Sequence, residues 1–157
     1  MSGDSLLGRR VPRRADRIFV RVGGWEQLRE AASAVRLPVF VQEQGIPVAL
    51  ELDGRDAAAT HAVAFDPAGR PLATGRLLAD AQIGRMAVLA AHRGKGLGVS
   101  ILRALVAIAA VRGTRELRLH AQISAIGFYL REGFSIEGEP YEEAGIAHQT
   151  MVRLLSA

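Results

Sequence analysis

The sequence predicts one mixed α/β (α+β) domain, built on a central mixed sheet of about six or seven strands flanked by helices. Three observations predict it. The chain has 157 residues, the size of a single domain that buries a core without disulfides or a structural metal. Strand-like segments in the first half, two of them joined by a tight turn, suggest an antiparallel meander. In the second half strand, helix, strand and helix alternate, which demands a parallel crossover within the same sheet.

The elements follow in order. Residues 1–16 are polar, basic and unpatterned, and are expected to form a flexible basic arm ahead of a domain spanning 17–157. Alternation over 18–22 predicts the first strand, ended by Gly23 and Gly24. Leu28, Ala31, Ala32 and Val35 recur at helical spacing and predict a helix over 25–35. Pro38 is expected to interrupt it, with a second short helix over 39–44. Residues 45–59, rich in acids and broken by Pro47 and Gly54, read as a loop. Strands are expected at 61–65, 71–78 and 82–89, the first two joined by the turn Asp66-Pro67-Ala68-Gly69. Residues 96–112 give the clearest helix, with Leu97, Ile101, Leu102, Leu105, Ile108 and Ala109 on one broad face and Gly113 as its stop. A strand at 116–121, a helix at 124–132 and strands at 134–136 and 149–154 complete the domain.

Composition excludes several functions. The chain has no Cys, so disulfides, thiolate metal sites and a cysteine nucleophile are all excluded. A reducing compartment, the cytoplasm, is the expected location. No apolar run approaches the ~20 residues of a membrane span, and residues 1–17 lack the apolar stretch of a secretory signal. No metal is expected, because the four His lack ligand spacing. The net charge of +4 first suggests a nucleic-acid partner. Yet residues 1–17 hold five Arg against Asp4 and Asp16, and the remainder carries 15 basic and 14 acidic side chains. The body is nearly neutral and only 5% aromatic, so no nucleic acid is expected as partner.

The chemistry concentrates at 85–98. An apolar strand runs into Gly94, Gly96 and Gly98 and then a long helix. The first N–H groups of a helix lack intrahelical partners and carry partial positive charge. Glycines admit a phosphate close to the backbone, and Arg93 and Lys95 add full charges. The P-loop pattern is absent, and the dinucleotide G-x-G-x-x-G pattern fails at Val99. Glycine spacing alone leaves both an anion cradle and a plain solvated turn open.

Arg93-x-x-Gly96-x-Gly98 resembles the acetyl-CoA pyrophosphate loop of the GNAT N-acetyltransferases. A second segment strengthens the resemblance. Gln122, Ala125, Phe128, Tyr129, Gly133 and Phe134 follow that family's N-x-x-A-x-x-F/L-Y-x-x-x-G-F, with Gln122 keeping the amide of the usual Asn on a longer stem. Residues 36–44, 51–54, 119–122 and 145–148 are similar to the ElaA-like branch, with Ala147 where Pro is frequent. The likeness covers roughly 18–155. It implies a GNAT fold whose central strands splay to form an acyl-CoA cleft.

The resemblance also implies roles. Met86, Ala87 and Val88 would run along the pantetheine arm of acetyl-CoA. Arg93, Gly94, Lys95, Gly96, Leu97, Gly98 and Val99 would hold its pyrophosphate, and Gln122 would stand beside the cofactor. Tyr129 aligns with the family's general acid, although its spacing alone also fits a core aromatic. Without Cys, direct attack by a primary amine of a small molecule or peptide, within a ternary complex, is the economical route. Glu43, Glu51, His61, His120 and His148 are candidates to take the amine's proton. Strand alternation puts His120 on one face with Gln122, opposite Leu117 and Leu119. Glu43, His61 and His148 are the candidate acceptor-side residues. Asp53 and Asp56 read as solvated loop acids. The alternative is a non-catalytic acyl-CoA sensor on the same fold, and a homodimer is a family-based expectation.

Overall fold

The computed structural model describes residues 17–156; the predicted arm at 1–16 lies outside them. Eight strands form one sheet in the order β1-β2-β3-β4-β5-β8-β6, with β7 also paired to β8. They are β1 (Phe19–Gly23), β2 (Thr60–Phe65), β3 (Pro71–Leu77), β4 (Gln82–Val88), β5 (Glu116–Gln122), β6 (Ser135–Ile136), β7 (Tyr141–Glu143) and β8 (Ile146–Leu154). The helices are α1 (Trp25–Arg36), α2 (Val48–Glu51), α3 (Leu97–Val111) and α4 (Ile126–Arg131). All strand pairs are antiparallel except β4 with β5, because α3 carries the chain across one face between them.

The sheet separates two helical layers. Ala62 and Ala64 of β2 join Leu97, Ile101, Leu102 and Leu105 of α3 in the main core. Val63 and Phe65 point the other way and pack with Leu28 and Ala32 of α1. This is the two-residue period of a strand buried on both faces.

Three expectations need correction. Pro38 does not break the first helix: α1 continues into a π-helical segment, Leu37–Glu43. Pro38 stands in the first turn of that segment, where its missing N–H is tolerated, and the wider turn shows in the Gln44 N–H to Val39 carbonyl bond of 3.1 Å. The loop at 45–59 contains α2. The strand beyond the expected six or seven is the three-residue β7, too short to show periodicity.

The most consequential irregularity lies in β4. Thr74 pairs with Ala87 and Arg76 with Gly84, so Arg85 and Met86 together face Gly75. This is a β-bulge, and Arg85 adopts φ 51° there. A bulge adds a residue to one strand and bends it. The faces invert across it: Ile83 lies in the α3-side core, while Ala87 packs with Val35, Val39 and Phe40 beneath the π-helix.

Candidate active site

The bulge shapes the site. β4 and β5 pair only at Gln82 with Arg118 and Ile83 with Leu119. Past that point the bent β4 parts from β5, leaving its Met86–Val88 edge unpaired on that side. The resulting cleft has a volume of about 410 Å³ and is reached from both faces of the sheet. Met86, Leu119, Ala121 and Tyr129 line it from the core side, and Gln44, His120, Gln122 and His148 from the other.

The glycine turn leaves the far end of β4. Gly94 and Gly96 have φ 78° and 80°, a region where side chains are strained. Gly96 is the N-cap of the 15-residue α3, with no side-chain cap, so the N–H groups of Leu97, Gly98 and Val99 belong to the unpaired first turn. Arg93 is tied down: its Nη1 and Nη2 donate to the Glu43 carboxylate at 2.8 and 2.9 Å, and its Nε donates to the Val88 carbonyl at 3.0 Å. That bond from Arg93 holds the Glu43 carboxyl below its ordinary value. Glu43 is therefore a half-exposed strut from the π-helix to the turn, and it stands outside the cleft lining. Lys95 lies by His92, 3.3 Å from its Nδ1.

Two groups with exchangeable protons flank the cleft. Alternation along β5 sends Leu117, Leu119 and Ala121 into the α3-side core, where Tyr129 of α4 also packs. Tyr129 is 7% exposed and lies edge-on to Phe128 and Phe134. Its hydroxyl has no hydrogen-bond partner among the described residues, and burial pushes its pKa up. His120 and Gln122 take the opposite face. Register places Gln122 against His148, His120 against Thr150 and Tyr141 against His148, so these side chains form one cross-strand cluster. His120 Nδ1 meets the Tyr141 hydroxyl, with Thr150 Oγ1 at 3.5 Å. Tyr141 stacks on His148 at 6.1 Å between ring centroids, and His148 Nδ1 contacts the Ile146 carbonyl at 2.7 Å. Gln44 and Gln122 exchange amide hydrogen bonds of 2.8 and 3.4 Å, tying the end of the π-helix to the end of β5.

A buried ionic network holds the loop over the cleft. Arg36 is paired with Glu51 and Asp56, the latter at 2.7 Å. Arg76 donates to Asp53 and Asp56, both at 2.9 Å. Arg85 binds the carbonyls of Leu50 and Glu51 at 3.1 and 3.0 Å and Asp53 Oδ2 at 3.3 Å. Asp56 is buried and Asp53 partly so, correcting their reading as solvated loop acids. His61 is also part of this support. It is 1% exposed, with Nε2 2.9 Å from the Asp56 carbonyl and its ring against Trp25 at 4.8 Å, away from the cleft.

Sequence reasoning gave no role to Arg36, Gln44, Arg76, Arg85 or Tyr141. Arg76 and Arg85 carried a usable signal, since a charge inside an otherwise apolar strand needs a partner. Tyr141 carried none, because its contact depends on strand register.

Most of the chain is similar to proteins named as acetyltransferases or acyltransferases. The model of the acetyltransferase (GNAT) domain matches residues 32–155. The uncharacterized N-acetyltransferase YjcF of Bacillus subtilis is 36% identical over 132 residues, covering 82% of this chain and 93% of that protein. The crystal structure of an acyl-CoA N-acyltransferase from Pseudomonas aeruginosa superposes with a TM-score of 0.77 at 32% identity, over 87% of this chain and 99% of that one. Escherichia coli ElaA gives a TM-score of 0.77 at 27% identity, over 86% and 99%.

Proposed function

Because the chain belongs to the GNAT acetyltransferase family, we propose that it moves an acetyl group from acetyl-CoA to a primary amine by direct attack in a ternary complex, in the cytoplasm. The observation that carries this reading is the parallel β4–β5 pair that stops after Ile83 and Leu119, with Tyr129 and His120 on opposite faces beyond it. The residues present fit acetyl-CoA. The free edge of β4 at Met86, Ala87 and Val88 offers backbone groups to pantetheine amides. The turn from Arg93 through Gly94, Lys95, Gly96, Leu97, Gly98 and Val99 offers N–H groups and positive charge to the pyrophosphate.

Two proton movements accompany the transfer. His120 takes a proton from the amine, so that the nitrogen lone pair can form a bond to the thioester carbon. The carbon–sulfur bond then breaks, and Tyr129 donates its phenolic proton to the leaving sulfur. Burial makes the phenol a weaker acid, but it disfavours a thiolate in the same place as well, so the transfer stays matched. Gln122 and Gln44 border the path between the faces, and His148 stands beside His120 on the acceptor side.

Calorimetric titration with acetyl-CoA and an amine panel read by release of free CoA test this. Binding is expected, together with amine-dependent CoA release. Tyr129→Phe is expected to keep acetyl-CoA affinity and to lower kcat about 100-fold or more. No binding by the unaltered protein would overturn the reading. Binding without transfer to any amine would leave a sensor on the same fold. An unchanged kcat in the Phe variant would remove Tyr129 from the role of acid.

A further inference from the structure

The acceptor end of the cleft is bipolar, and its charges are not all committed. Three arginines line it: Arg55, Arg76 and Arg85. Arg55 is paired with Asp80 at 2.9 Å. Both terminal nitrogens of Arg76 are taken by Asp53 and Asp56. Arg85 differs. Its Nε and Nη2 are used on carbonyls and on Asp53, but its Nη1 has no partner among the described residues. Its side chain is 27% exposed. Asp53 Oδ2 at 3.3 Å and Glu51 Oε1 at 3.9 Å balance its charge on the loop side, while Nη1 stays open to the cleft.

The carboxylates lining the cleft show the complementary pattern. Glu51 is held by Arg36 and Asp53 by Arg76 and Arg85, so neither is free to attract a cation. Glu143 is the uncommitted one. It is 59% exposed at the tip of the β7–β8 hairpin, and its nearest recorded partner is His148 Nε2 at 4.0 Å. One wall of the cleft thus offers a guanidinium N–H at the β4 bulge. The other offers a carboxylate and two imidazoles, His120 and His148. Opposite charges on opposite walls suit a ligand that carries both signs.

We infer that the acceptor is an amine that also carries a carboxylate, an amino-acid-type zwitterion, whose carboxylate is received by Arg85 and whose ammonium lies toward Glu143, His148 and His120. The inference rests on the acyl-transfer reading above and narrows its substrate class. Arg85 is suited to the task because its other nitrogens already hold it against the carbonyls of Leu50 and Glu51, so its remaining N–H groups point from a fixed base. An amine held at the far wall then has its nitrogen beside His120.

The test uses matched acceptors with the unaltered protein: an amino acid, its carboxamide and the corresponding decarboxylated amine, each with acetyl-CoA and read by CoA release. A charge-assisted contact predicts kcat/KM higher by about tenfold to a hundredfold for the acceptor that keeps the carboxylate. In Arg85→Gln the preference is expected to collapse through KM of the carboxylate acceptor, with acetyl-CoA still bound by calorimetry. Equal kcat/KM across the matched set, or a preference for the carboxamide or the decarboxylated amine, would overturn the inference while leaving acyl transfer standing. Absence of transfer to every amine would overturn both. The comparison among acceptors needs no variant, so a poorly folded Arg85→Gln does not blunt it.

Discussion

Ile83 and Ala87 stand four residues apart on β4 and face opposite sides of the sheet, one in the core under α3 and the other beneath the π-helix. A regular strand would put both on one side. The bulge at Arg85 and Met86 inverts the pattern, and Gly75 on β3 is the residue that faces it. A Cβ added to Gly75 would lie 2.5 Å from Met86 Sδ, 2.8 Å from Ile101 Cγ2 and 3.1 Å from Leu105 Cδ1. Gly75→Ala is therefore expected to destabilise the fold by about 1–3 kcal/mol through overpacking. It should also weaken acetyl-CoA binding, because Met86 is pushed toward the cleft. Urea midpoints and calorimetry check the two effects separately.

Asp56 accepts from Arg36 and Arg76 at the centre of the buried network. Asp56→Asn leaves two guanidiniums short of a charge, and removing one partner of such a set costs about 3–5 kcal/mol. Burial alone would raise the Asp56 pKa, yet the bonds from Arg36 and Arg76 outweigh it and hold the carboxyl below its ordinary 3.8. A depressed carboxyl contributes stability that is present above 3.8 and is lost as pH falls toward the lower native value. His61 acts in the same direction. Burial lowers its pKa from 6.5, so the unfolded chain gains its proton first and stability falls as pH drops below 6.5. Denaturant midpoints measured against pH should decline in two stages for the unaltered protein. The later stage should shrink in Asp56→Asn, and an undiminished later stage there would contradict the assignment.

How legible each part was depended on the range of the interactions behind it. α3 announced itself through local spacing, as did the turn at Gly94 and Gly96, where left-handed backbone favours glycine. The ends of β2, β3, β4 and β5 fell within about two residues of expectation for the same reason. The splay did not follow from spacing and came only through family resemblance, because it depends on one extra residue in β4 relative to β3, and relative register is not written in either strand. Pro38 misled because it forbids one hydrogen bond, and it stands in the first turn of the π-helical segment, where a missing N–H is tolerated. Asp56 misled because hydrophilic composition at 51–56 signals a loop, while three arginines from three other elements, Arg36, Arg76 and Arg85, converge on that segment. Glu43, a candidate on the acceptor side, pairs instead with Arg93, a contact between residues 50 apart in sequence that local spacing does not encode.

Tyr141 reaches His120 across two strand pairings, β7 with β8 and β8 with β5, and the contact engages the imidazole at Nδ1. With the ring donating its Nδ1–H to the Tyr141 oxygen, Nε2 of His120, which has no partner among the described residues, is the lone-pair nitrogen able to meet the acceptor amine. Tyr141 touches neither cofactor nor thioester in this scheme, so it is a positioning residue. Tyr141→Phe keeps the stack on His148 and removes only the hydroxyl. It is expected to lower kcat about tenfold without changing acetyl-CoA affinity, a smaller loss than the 100-fold or more expected for His120→Gln. The two substitutions should not add: on the His120→Gln background, Tyr141→Phe should have little further effect, because its influence passes through the missing ring. Full additivity in that double-mutant cycle, measured as kcat at saturating acetyl-CoA, would show that the hydroxyl supports the hairpin rather than the imidazole.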